Sequence, residues 1–103
     1  MYVVVLITAP NPKEAEIIGK TLVERRLVAC VNIIPKIRSI FWWEGKIEES
    51  SEVLIIAKSK SDLMMEIQET VKEKHSYDVP EIIALSVKSG LPQYCKWIDE
   101  SVK

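Results

Sequence analysis

Four extended apolar runs and two runs at helical spacing, ordered strand, helix, strand, strand, helix, strand, predict an α+β domain. The type is a split βαβ, or ferredoxin-like, sandwich with one helix appended at the C-terminus. Three observations carry this. The β-branched run Tyr2 to Thr8 opens the chain, Asn11-Pro12 gives a sharp helix start, and a long β-hairpin folds about Glu44-Gly45-Lys46.

The first run is continuous rather than alternating, as expected of a strand with neighbours on both sides. Pro10-Asn11-Pro12 ends it. Asn11 is placed to cap a helix, with Pro12 at its first position and Glu14 completing a capping box. Ala15, Ile18 and Leu22 follow at helical spacing, and Arg25 and Arg26 stand where cations complement the helix dipole. A second strand runs from Leu27 to Ile34, where Pro35 marks an edge or a bulge. It continues through Ile37 and Ile40 to Phe41-Trp42-Trp43, turns, and returns from about Glu52 to Lys58. Ser59 with Asp62 reads as a second helix start, followed by Leu63, Ile67 and Val71 to an end near His75. Val79-Pro80 leads into a fourth strand, Ile82 to Val87, with proline at its tolerated first position. Tyr94, Trp97, Ile98 and Ser101 share a face of the short last helix.

Composition fixes the class. With 103 residues, 48% hydrophobic and 28% charged, the chain makes one domain, residues 1–103, with a modest core. A net charge of -1 gives no bias toward nucleic acid or anionic membranes, and neither is expected as a partner. The opening apolar run is far shorter than the roughly 20 residues of a membrane helix. Two widely separated cysteines, Cys30 and Cys95, do not form a secreted disulfide framework, so a reducing cytoplasm is the expected location.

Three of seven aromatic side chains stand in one row at Phe41-Trp42-Trp43. In a strand, Phe41 and Trp43 point to one side and Trp42 to the other, so both faces carry large rings. Helices on one side of a single sheet leave its other face bare. The aromatic hairpin is therefore expected to bury itself against sister copies.

Leu27-Val28-Ala29-Cys30-Val31-Asn32, Trp42-Trp43-Glu44-Gly45-Lys46 and His75-Ser76-Tyr77-Asp78-Val79-Pro80-Glu81, with Tyr94 and Trp97 after them, closely resemble the CutA divalent-cation-tolerance family. The resemblance implies a ferredoxin-like protomer, a tight homotrimer, a cytoplasmic location and a link to heavy-metal, notably copper, tolerance. CutA proteins are also similar in architecture to PII signalling proteins, which implies ligand binding in clefts between subunits. On that basis the candidate ligand residues are Cys30, Trp43, Lys58 and Tyr77, with His75 as the candidate metal ligand. Some relatives carry a cysteine at the end of the first strand and a second histidine before the Tyr-x-x-Pro segment; this chain has Ile7 and Lys74 there.

Each residue also has a plainer reading. Cys30, in the middle of an apolar strand, reads first as an inert buried thiol, His75 reads equally as a helix-end residue, and Tyr77 and Pro80 read also as residues that shape the helix-to-strand connection. No nucleophile has a base beside it and no Gly-rich phosphate loop occurs among three isolated glycines, so no enzyme is expected. A trimeric sensor of a small anionic metabolite is the alternative function. An RNA-recognition sheet is disfavoured because Val3-Val4-Val5 and Ile55-Ile56-Ala57 are aliphatic where stacking rings are needed.

Overall fold

The computed structural model describes residues 1–103 and contains four strands, three α-helices and a short 3-10 turn. β1 is Tyr2–Ala9, α1 Pro12–Glu24, β2 Cys30–Trp43, β3 Lys46–Lys60, α2 Met64–Lys74, β4 Ile82–Ser86 and α3 Pro92–Ser101. The sheet order is β2-β3-β1-β4, and all three pairings are antiparallel. This is the split βαβ arrangement with an appended helix.

Alternation sorts the sheet into two faces. Val3, Val5, Ile7 and Ala9 of β1 and Val53, Ile55 and Ala57 of β3 are buried with Ala15, Ile18 and Leu22 of α1 and Ile67 and Val71 of α2. That is the core. Gly19 belongs to it through what it lacks, since a Cβ there would meet Val31 Cγ2 at 3.0 Å, and its absence lets α1 lie close on β2. The opposite face carries Val4, Leu6, Ile34, Leu54, Ile56, Ile83 and Leu85, and no long helix covers it. Only α3 reaches it, at one end, where Asp99 accepts from Tyr2 Oη at 2.7 Å and pairs with Lys60 at 3.3 Å.

The hairpin exceeds the sheet. β1 pairs with β3 only over residues 53–60, so residues 37–52 form a two-stranded ribbon with no third strand beside it. A compact domain of this length has a radius of gyration of about 13 Å, whereas this chain has 14.1 Å and a longest dimension of 44 Å. The tip is a two-residue turn in which Glu44 (φ 49°) and Gly45 (φ 77°) are both left-handed, the pattern that matches strand twist. The proline effect expected at Pro35 is a bulge between Ile34 and Ile37, with Lys36 at φ 59°.

The capping prediction holds at α1, where Asn11 Oδ1 accepts the Glu14 amide at 2.8 Å. The second helix start does not fall at Ser59. Ser59 is a fully buried strand residue donating to Leu27 O at 2.5 Å, because β3 continues to Lys60 to pair with β1. The return strand likewise begins at Lys46 rather than near Glu52, since ladder pairing with β2 sustains even its charged segment. Arg25 and Arg26 serve tertiary links more than the helix dipole: Arg25 reaches Glu73 at 3.1 Å, and Arg26, left-handed at φ 57°, donates to Ser101 O.

Candidate functional site

The candidate residues fall at three separate places. His75, which ends α2, packs under β1 with its ring fully enclosed. Its Nδ1 accepts the Tyr77 amide at 3.1 Å, so Nε2 carries the proton and donates to Thr8 O at 2.7 Å. Glu14 Oε2 lies 3.4 Å from Nδ1 and accepts from both the amide and hydroxyl of Ser76 at 3.0 Å. The hydroxyl thus faces a carboxylate rather than the imidazole. Tyr77 packs tilted against the His75 ring, 4.7 Å between centroids, and donates to Glu52 Oε2 at 2.9 Å, at the root of the hairpin. Burial, reinforced by that carboxylate, pushes the Tyr77 hydroxyl up to about 12.

Cys30 and Lys58 lie together elsewhere. They are directly opposed across β2 and β3, on the open face, and Lys58 Nζ donates to Asn32 Oδ1. The Cys30 thiol meets Tyr94 Oη at 3.8 Å, and Tyr94 packs on Trp97 at 5.4 Å. Burial first, then the thiol, raises the Tyr94 hydroxyl. Val4, opposite Lys58, and Thr8, above His75, are four residues apart on β1, roughly 13 Å along the strand. Trp43 is farther still, at the ribbon tip, with Trp42 73% and Trp43 59% exposed.

One copy therefore does not assemble these residues into one cleft. Nor does it bring three His, Cys, Asp or Glu side chains together as a metal site needs. His75, the expected metal ligand, has both ring nitrogens engaged by backbone groups of its own chain, and Ile7 and Lys74 add no donor of the kind expected there. A copper centre does not fit a single chain. A surface groove of about 410 Å³ lies elsewhere again, between Arg25, the Glu66, Glu69 and Glu73 side of α2, and Lys103. Two of its carboxylates are paired within the groove, Glu73 with Arg25 at 3.1 Å and Glu66 with Lys103 at 2.7 Å, while Glu69 has no ion pair.

Sequence reasoning passed over Asn32, Tyr94 and Glu52 as polar partners. The signal for Asn32 was present, as the one polar residue inside an apolar strand run; Tyr94 and Glu52 meet their partners only through folding.

Fold and site together define a small α+β domain with one bare sheet face and an overhanging aromatic hairpin. The chain belongs to the CutA1 divalent ion tolerance protein family, whose model matches residues 3–101. It is 48% identical over 103 residues to the divalent-cation tolerance protein CutA of Archaeoglobus fulgidus, covering all of both chains. It is 49% identical to Protein CutA of Mus musculus over 94 residues, which is 91% of this chain and 53% of that longer one. The structure superposes on the divalent cation tolerance protein Cut A1 from Thermus thermophilus with a TM-score of 0.98 at 43% identity, covering all of each chain. No helix is long and apolar enough to cross a membrane.

Proposed function

We propose that this chain acts in divalent-cation tolerance as a closed assembly of three copies whose ligand sites are the seams between them. The observation that supports this is the bare apolar surface of the single copy. Ile34, Ile83 and Leu85 are 42%, 51% and 55% exposed on the open face, and Ile40, Phe41, Trp42, Trp43 and Ile47 are exposed on the ribbon. Soluble monomers rarely leave contiguous apolar surface on this scale. Each ring, if fully buried between copies, would contribute about 1.5–3 kcal/mol. The number three comes from the family resemblance; the need for other copies comes from the surface itself.

Assembly also accounts for the scattered candidates, because a ribbon reaching beyond its own sheet can carry Trp43 to the Cys30 or Tyr77 region of a neighbour. The free thiols of Cys30 and Cys95 suit a reducing compartment, and we place the protein in the cytoplasm. The test is growth on copper of a bacterium lacking its own relative. Expression of this chain is expected to restore growth, and a Trp42→Ser, Trp43→Ser variant that sediments as folded monomers is expected not to. Equal rescue by the monomeric variant would refute the proposal.

A further inference from the structure

β3 places two half-buried lysines on the open face, Lys58 and Lys60, and the structure treats them differently. Lys60 has a counter-ion, the Asp99 carboxylate at 3.3 Å. Lys58 has only a neutral partner, the side-chain carbonyl of Asn32, and forms no ion pair. Around it stand Val4, directly across on β1, Leu85 beyond Val4 on β4, and Ile56 two residues along. A cation among such neighbours is tolerable while water reaches it. Once another copy covers the face, an unpaired ammonium becomes costly, because desolvation penalises a charge that nothing balances.

The remaining side-chain polar groups there can all donate, and none carries a negative charge at neutral pH. Asn32 turns its carbonyl to Lys58, which leaves its amide N–H groups free to donate, and Tyr94 Oη adds a hydroxyl beside the Cys30 thiol. No carboxylate joins Lys58. We propose that Lys58, with Asn32 and Tyr94, holds a small oxyanion, a phosphate or carboxylate group, in the seam where another copy closes over the open face. The site rests on the assembly reading above and adds to it the chemical class of the ligand. Backbone pairing between β2 and β3 fixes Lys58 opposite Cys30 and diagonal to Asn32, and Tyr94 comes from α3, so the donors stand on strands and a helix rather than on loops.

The test uses the full chain in urea unfolding at fixed protomer concentration, with sodium phosphate or citrate replacing chloride at constant ionic strength. Sedimentation is run on the same samples. The wild-type midpoint is expected to rise with the logarithm of phosphate or citrate concentration, and the two arms distinguish a phosphoryl from a carboxylate source. Lys58→Met is expected to lose this response and, in chloride alone, to unfold at higher urea than the wild type, because its unpaired charge is gone. Lys58→Arg is expected to keep the response. An assembled wild type insensitive to both oxyanions overturns the site alone, as does a Lys58→Met protein that responds equally. A Lys58→Met protein that dissociates, with no oxyanion effect on the wild type, assigns the counter-ion to a neighbouring copy and also overturns it. A monomeric wild type removes the seam, and the assembly reading fails with the site.

Discussion

His75 shows how one side chain can satisfy its surroundings completely. Its two ring nitrogens close hydrogen bonds to Thr8 and Tyr77 while Glu14 ties the next residue, so the α2 end, β1 and the α1 start meet at one point. His75→Ala would leave a buried carbonyl and amide without partners and a cavity beside them. A loss of about 2–4 kcal/mol in urea unfolding is expected. Copper or zinc titration of that variant, still assembled, is expected to match the wild type; loss of binding there would make His75 a ligand after all. Tyr77 gives a pH signature. A hydroxyl raised to about 12 from an ordinary value near 10 stabilises the fold fully below pH 10 and less and less as pH climbs toward 12. Tyr2, raised to about 12 chiefly by its bond to Asp99, acts in the same direction. Alkaline unfolding of Tyr77→Phe is expected to be less steep across that window than that of the wild type. The sequence showed that the His75 segment mattered, but both structural and ligand readings of the ring were open, because its partners come from residues 8 and 14 and from the backbone.

Local chemistry predicted the elements well where it was strong. Asn11-Pro12, Pro35 and Glu44-Gly45 each act on the backbone within one or two residues, and the cap, bulge and turn stand where those residues put them. Ser59 failed as a helix start because its capping chemistry lost to a long-range claim: eight ladder positions of β1 hold β3 extended through Lys60, and the hydroxyl finds Leu27 instead. Ladder pairing, invisible to a local window, also explains why the charged Lys46 to Glu52 segment is strand. Two substitutions probe this level. Gly19→Ala would push a methyl into Val31, and despite the better helix propensity of alanine a net loss of about 1–2 kcal/mol is expected in urea unfolding. Gly45→Ala, with open space around it but φ at 77°, is expected to cost about 1–2 kcal/mol through the backbone alone. Equal stability of Gly19→Ala and wild type would show that α1 can shift away from β2 without penalty.

For the whole molecule, the exposed apolar surface is the feature that sequence and structure share. The row Phe41-Trp42-Trp43 foretold an element too apolar for its own chain, and the ribbon does project with its rings exposed beyond the third strand. What could not be read was the placement of Cys30 and Lys58 away from His75 and Tyr77, since separation along a strand depends on register. On the proposed assembly, that separation would be bridged by other copies, each carrying its Trp43 to a neighbour's groups. The direct test is sedimentation equilibrium of the purified chain at low micromolar concentration. A single species of three times the 11.8 kDa chain mass is the predicted result, with Trp42 and Trp43 fluorescence shielded from a soluble quencher. A folded species at the mass of one chain, with both rings open to the quencher, would contradict the account.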